Sequence, residues 1–381
     1  MLFRVPDIDA QETAVLGQIE QLKADLRMQL NEPRRWPGAL RRQAFARNIQ
    51  GSNSIEGYEA DLEDVAAIAS YEEPLDADTE TRLALGGYRN AMTYVIQLAD
   101  EPEFSYTTQL LKSLHFMMTS HDLTKRPGRW RVGAVYVRKE TTGEIIHEGV
   151  TVEQVAGLME DMCVVLNRDP ELDPIVRAAM AHLNLVMIHP YKDGNGRMGR
   201  CLQSLVLAQH GTLSPVFMSI EEYLGHNTPE YYQVLGEVGG GSWQPDRDTR
   251  PWLRFALVAH LRQARTLQRR VREGERIWLE IERLFAVHGL PERSISAVFD
   301  VATGFGLRNA TYRALVRESS GEEITEGTAS RDLKELVTSG LFVAKGEKRG
   351  RTYGAGSPLR AIREEARQTR GLARDDLDPF A

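Results

Sequence analysis

Two apolar-periodic stretches, Ile175, Ala179, Leu183 and Val186 on one side and Met198, Leu202 and Leu205 on the other, flank a polar segment. That segment reads His189-Pro190-Tyr191-Lys192-Asp193-Gly194-Asn195-Gly196-Arg197-Met198-Gly199-Arg200. The helical spacing on both sides makes it the joint between two amphipathic helices, and the joint opens the second one. A helix N-terminus offers unpaired backbone N–H groups and a positive dipole end, and Gly194 and Gly196 let a ligand approach the backbone without a Cβ in the way. This is an anion site, most naturally for phosphates. Arg197 and Arg200 lie three apart, on roughly one helix face, where each guanidinium can grip phosphate oxygens in a bidentate way. Asp193 supplies a hard carboxylate oxygen suited to Mg²⁺ held jointly with substrate phosphates. His189 titrates near neutrality and can take a proton from an attacking hydroxyl.

These residues resemble the signature of the Fic (filamentation-induced) family: His-Pro-Phe, any residue, Asp or Glu, Gly-Asn-Gly-Arg, two residues, Arg. Tyr191 in place of the phenylalanine is the one departure. The resemblance implies transfer of AMP from ATP to a hydroxyl side chain (Ser, Thr or Tyr) of a protein, with release of pyrophosphate. It implies His189 as general base and Asp193 as the Mg²⁺ ligand. Gly194, Asn195 and Gly196 would cradle the α and β phosphates, Arg197 and Arg200 would hold the β and γ phosphates, and Gly199 joins the nucleotide-binding set. A kinase-like branch has lysine at the second glycine of the loop, and Gly196 argues against that branch.

Upstream, Ser52-Asn53-Ser54-Ile55-Glu56-Gly57 places a hydroxyl and a carboxylate four residues apart, one face of a helix, with glycine as terminator. By the same resemblance this is the family's inhibitory helix. Ser52, Glu56 and Gly57 fit its pattern, and Glu56 is expected to pair with Arg200 where a γ phosphate needs to sit. A reverse activity, removal of AMP from the modified target, stays open.

The chain has 381 residues, 42% hydrophobic and 27% charged, which suits a globular protein of two or three domains with a sizeable core. Cys163 and Cys201 both fall in apolar helical patterns, so packing in a reduced compartment is expected rather than a disulfide framework. No apolar run approaches the length needed to span a bilayer, and the start of the chain lacks a signal-peptide form, which places the protein in the cytoplasm. A net charge of -7 argues against broad attraction of the whole chain to nucleic acid.

The fold class expected is mainly α: a Fic-type helical domain with a β-hairpin flap, plus a C-terminal winged helix-turn-helix of α+β type. Residues 1–105 form the N-terminal helical region, with the inhibitory helix at about 45–60; 106–265 form the catalytic domain, 266–357 the winged helix and 358–381 a mobile tail. Within this scheme helices are expected over about Gln11 to Leu30, Thr81 to Leu98 and Thr107 to Met118. A strand from Val132 to Arg138 returns through Ile145 and Ile146. By family position that hairpin, with Glu144, Ile145, Ile146 and His147, is the flap that pairs with the target segment. Tyr231 and Tyr232 follow Asn227-Thr228-Pro229, where relatives carry an aromatic pair that helps build the adenine pocket. Many relatives have an asparagine further on, whereas this chain reads Glu237-Val238-Gly239-Gly240-Gly241.

Near the C-terminus, Thr328 as N-cap, Leu333, Leu336 and Val337 as apolar positions and Gly340 as terminator outline a short helix exposing Ser330, Arg331 and Lys334. A basic hairpin follows, with Lys345, Lys348, Arg349 and Arg351 at its tip. Such a helix can enter a major groove while the wing meets phosphates, which makes Ser330, Arg331, Lys334, Lys348, Arg349 and Arg351 candidate contacts to duplex DNA. The same module can serve protein docking or homodimerisation. Partners in view are therefore a hydroxyl-bearing target protein, the chain itself and DNA, with no membrane. Two other readings stand beside the transferase. One is a DNA-binding regulator whose Fic domain senses nucleotide or modifies itself; the other is a transferase using a different nucleotide donor.

Overall fold

A computed structural model describes residues 1–31, 36–138, 145–168, 172–210, 214–347, 350–368 and 378–381. Five helices come first: α1 (Ala10–Asn31), α2 (Pro37–Ser54), α3 (Leu62–Ala69), α4 (Thr79–Leu98) and α5 (Thr108–Thr119). A two-stranded antiparallel hairpin follows, β1 (Tyr136–Arg138) and β2 (Ile145–Glu148), pairing Tyr136 with Glu148 and Val137 with His147. Then come α6 (Val152–Arg168), α7 (Pro174–Ile188), α8 (Asn195–Gln209), α9 (Pro215–Met218), α10 (Glu221–His226), α11 (Thr228–Gly239) and the 39-residue α12 (Arg250–His288). The chain ends with α13 (Ile295–Thr303), α14 (Asn309–Ser320), α15 (Glu326–Thr338), a second hairpin β3 (Phe342–Lys345) and β4 (Thr352–Ala355), and α16 (Ser357–Gln368).

Helix α7 is the axis of the catalytic half. It starts where Asp173 accepts from the amides of Ile175 and Val176 and Pro174 occupies the first turn. Every residue from Ile175 to Ile188 is buried, so the helix is apolar nearly all round and is covered on all sides, chiefly by α8, α6 and α12. Its few polar side chains are satisfied: Asn184 bonds both the N–H and the carbonyl of Phe3, and Arg177 donates to the carbonyl of Leu166. Helix α2 crosses α10 and packs on α3 and α4, while α1 lies along α12. Cys163 and Cys201 are buried free thiols, as packing residues.

Three expected boundaries move. The strand starts at Tyr136 rather than Val132, because residues 131–135 curl around Arg131, whose guanidinium donates to the Gly133 carbonyl at 2.8 Å. The helix expected to begin at Thr328 is capped three residues earlier, by Thr325, whose hydroxyl accepts from the Thr328 amide. The boundary at residue 265 falls inside α12, which continues without a break into the C-terminal half through buried Leu267, Val271, Ile277, Trp278 and Ile281. The expected tail is also shorter: α16 packs on α12 and α13 with Leu359 and Ala366 buried, because Leu359, Ile362 and Ala366 make an apolar stripe at helical spacing. Among the described residues no helix is long and apolar enough to cross a membrane.

Candidate functional site

The loop between α7 and α8 is held from several directions before any ligand is considered. His189 caps α7 in the left-handed region, φ 54°, and Gly194 opens α8 at φ 77°, a conformation glycine takes without strain. Asn195 spends its side chain on the loop itself: its Oδ1 accepts from the Tyr191 amide at 2.9 Å and its Nδ2 donates to the Tyr191 carbonyl at 3.0 Å. Its backbone N–H is left to face an anion. Tyr191 is fully buried, stacks on His115 at 3.7 Å and donates to the Leu111 carbonyl, so an aromatic with a hydroxyl is accommodated at that position.

His115 and Arg131 are residues that the sequence reading did not single out. The Gly128 amide donates to His115 Nδ1, which leaves Nε2–H to donate to the Asp193 carbonyl at 2.9 Å; burial holds this imidazole down to about 4. Arg131 donates to the carbonyl of His189 at 2.8 Å and to that of Val150, tying the loop to the base of the hairpin. The available signal was a lone polar residue, His115, on the face of α5 that buries Leu111, Leu114 and Met118.

His189 contributes its ring to the wall of a cavity of about 280 Å³. Its Nδ1 donates to the Val186 carbonyl at 3.2 Å, so Nε2 carries the lone pair, and burial brings its pKa down to about 4. The same wall includes His147, Asp193, Gly194, Asn195, Gly196, Arg200, Tyr231 and Tyr232. His147 sits on β2 with Nε2 donating to the Met187 carbonyl. Glu144 lies outside the described residues, and Ile145 and Ile146 form β2 by their backbone.

At the far end of the cavity Arg200, 1% exposed, donates through Nη2 to Glu56 Oε1 at 2.6 Å and to the Ser52 carbonyl at 2.8 Å, and through Nε to the Ser52 hydroxyl at 2.8 Å. Burial opposes the guanidinium charge and the Glu56 carboxylate more than offsets it. Glu56 itself stands just beyond α2, not on its face: the helix ends at Ser54, and the amides of Glu56 and Tyr58 both turn back to the Asn53 carbonyl, with Gly57 at φ 81°. The turn carries the carboxylate over Gly196, where an added Cβ would strike it.

Arg197 is brought near the cavity but stays behind its wall. It is fully buried under the Tyr58 ring at 5.1 Å, with a 3.6 Å contact to Asp193. Arg197 Nε and Nη1 and Arg200 Nη1 have no hydrogen-bond partner among the described residues, an arrangement that leaves donors for an anion. Asp193 also meets Lys125 at 3.1 Å. Burial works against its charge, but Arg197 and Lys125 hold the carboxyl below the usual range. Gly199, expected among the nucleotide contacts, instead faces α7, against His182 and Val186. Near the C-terminus Ser330, Arg331, Lys334 and Arg351 are exposed, while Lys348 and Arg349 lie outside the described residues.

The helical frame thus gathers an imidazole, a carboxylate and two buried arginines around one helix N-terminus. The Fic/DOC family model matches residues 105–207, so this part of the chain is a Fic domain. It is 29% identical over 226 residues to the protein adenylyltransferase Fic of Nematostella vectensis, covering 56% of this chain and 46% of that protein. It is 36% identical over 130 residues to protein adenylyltransferase fic-1 of Caenorhabditis elegans, covering 34% and 22%. The chain thus spans less than half the length of these curated relatives. The crystal structure of a Fic family protein from Desulfovibrio desulfuricans G20 shares the fold over 93% of this chain and 98% of its own, with a TM-score of 0.58 at 20% identity.

Proposed function

We propose that the chain is a protein adenylyltransferase that moves AMP from ATP to a Ser, Thr or Tyr hydroxyl of a protein target and is held off by Glu56. The observation that carries this reading is the buried Glu56–Arg200 pair, 2.6 Å, inside the cavity that His189 borders. Arg200 would otherwise hold the γ phosphate, and a carboxylate in that place repels the triphosphate.

His189 Nε2 takes the proton as the target oxygen bonds to the α phosphorus, the bond from that phosphorus to the bridging oxygen breaks, and pyrophosphate leaves. The first-turn amides of α8 at Gly194, Asn195 and Gly196 face the phosphates. Asp193 would hold Mg²⁺ as the single protein carboxylate beside phosphate oxygens. Mg²⁺ bound with ATP supplies charge neutralisation on the phosphates. Tyr232, Leu235 and Gly236 give the nucleoside end its walls, and the β1–β2 hairpin, anchored by His147, is the flap for the target segment.

In this reading residues 1–105 hold the inhibitory turn, the catalytic domain extends to the first half of α12, and the remainder is a winged helix. Support for the winged helix comes from the succession α13, α14, α15, β3 and β4, with Leu307 bridging to Tyr353. Against duplex binding there, Ser330 and Arg351 line a cleft whose opposite side carries Glu72 and Glu73.

The test is label transfer from α-labelled ATP with Mg²⁺ in a bacterial lysate. Glu56→Gly should raise incorporation on the order of tenfold or more, since it removes a charge-assisted contact from the phosphate site. Adding His189→Ala should abolish it. No incorporation in the Glu56→Gly chain defeats the AMP reading, and a panel of other nucleotides then identifies a different donor.

A further inference from the structure

The β1–β2 hairpin meets the end of α7 through donors that converge on carbonyls past the reach of the helical ladder. Arg131, 4% exposed, takes two of them: its amide donates to the Pro190 carbonyl at 2.9 Å and its Nε to the His189 carbonyl at 2.8 Å. His147 on β2 takes a third, donating through Nε2 to the Met187 carbonyl at 2.9 Å. The Arg131 guanidinium also holds both limbs of the hairpin. Nη1 donates to the Gly133 carbonyl at 2.8 Å, ahead of β1, and Nη2 to the Val150 carbonyl, just past β2. The limbs close on each other where the Gly149 amide donates to the Val135 carbonyl at 3.2 Å.

Arg131 is thus a buried cation whose three guanidinium nitrogens each donate to a carbonyl of a different segment. An arginine fork is planar and rigid, so bonds from all its corners fix those segments relative to one another, which a flexible ammonium cannot do. Space is set as tightly as hydrogen bonding. A Cβ added to Gly149 would lie 3.0 Å from Val135 Cγ1, 3.1 Å from Arg131 Nη2 and 3.2 Å from His189 Cβ, closer than such atoms normally approach. The base of the hairpin therefore rests on His189 itself, with a glycine as the spacer.

We infer that Arg131 is a positioning residue for the incoming target hydroxyl: by fastening both limbs of the flap to the end of α7, it sets how far a segment carried on the hairpin stands from His189 Nε2. The inference rests on the transferase reading above, in which the hairpin is the flap. With this joint loosened, nucleotide still sits on the first-turn amides of α8, but the hydroxyl is no longer held in line with the α phosphorus. Water then takes its place: its oxygen bonds to that phosphorus, its proton passes to His189 Nε2, pyrophosphate leaves and free AMP is released. A displacement on the order of 1 Å is enough to favour that outcome.

The experiment follows both fates of the label from α-labelled ATP with Mg²⁺ in a dialysed bacterial lysate, AMP bound to protein and free AMP. The full-length chain carrying Glu56→Gly is the parent, and the same chain with His189→Ala is the blank to be subtracted. Arg131→Lys keeps the charge and loses the fork, whereas Gly149→Ala keeps every hydrogen-bond donor and wedges the hairpin off His189. In both, the ratio of protein-bound label to free AMP should fall about tenfold. Calorimetric affinity for Mg-ATP, measured with His189→Ala added so that nucleotide binds without turnover, should stay within about twofold. An unchanged ratio in either variant overturns the inference. So does a joint loss of bound label and free AMP with weakened Mg-ATP binding, the result that general damage to the loop produces. If the parent gives neither bound label nor free AMP above the blank, the transferase reading itself falls and the inference falls with it.

Discussion

His189 illustrates how far a single residue's chemistry depends on its neighbours. Its Nδ1 is committed to the Val186 carbonyl, and burial lowers its pKa to about 4, so the neutral, accepting form persists well below neutrality. For the Glu56→Gly chain, the acid limb of kcat/KM against pH should therefore lie nearer 4 than 6.5, and a limb at 6.5 would contradict the geometry. Glu221 behaves in the opposite sense. Burial raises its carboxyl to about 7 although Tyr88 and Ser204 both donate to it. In the unfolded chain it ionises near the ordinary 4.5, so the fold holds the proton more tightly, and raising pH from 4.5 to 7 costs stability. Glu221→Gln should track the parent below that interval and gain on it by up to ~3 kcal/mol above, measured as denaturant unfolding at several pH values. Asn195 shows the limit of reading a motif: its place in the signature is legible, but that its side chain closes the loop on Tyr191 is visible only with the backbone in view.

At the scale of elements, α2 is the instructive one. Its C-terminal end delivers Ser52 and Glu56 to Arg200, while its N-terminal half is fastened to the C-terminal region. Asp300 on α13 accepts from Arg42 at 3.1 Å and from Gln43 at 2.9 Å, and Arg47 lies over the Phe305 ring at 5.2 Å. Asp300→Ala would strand these largely buried donors and should cost about 2 kcal/mol in urea unfolding. Glu318→Ala breaks an exposed pair with the same Arg42 and should cost under about 1 kcal/mol. If the two cost the same, the Asp300 contacts are not what fastens α2. The helices α1, α4, α5, α7, α8 and α15 could be read from apolar period and caps. Glu56 could not be placed off the helix in this way, because a 3.6-residue pattern does not reveal where backbone amides turn back on Asn53. The helix α16 escaped for a related reason: Leu359 is its only large, fully buried side chain, and the charges around it mask the stripe.

Across the whole molecule, α12 decides the architecture. A boundary near residue 265 is sensible for a catalytic domain, yet the helix runs on to His288, and Trp278 packs on Phe299 at 5.5 Å, so the two halves share one element and one continuous core. The sequence by itself determined the order of chemistry in the loop, the helices on either side of it and the Ser52–Glu56 spacing, because turn residues, caps and periodicity act over a few neighbours. Tertiary structure alone decided that Glu56 reaches Arg200 from a turn beyond α2, that Tyr58 covers Arg197, and that His182 stands behind Tyr231. Those outcomes turn on which donors burial leaves unpaired, and burial is a property of the packed chain, not of any stretch of it.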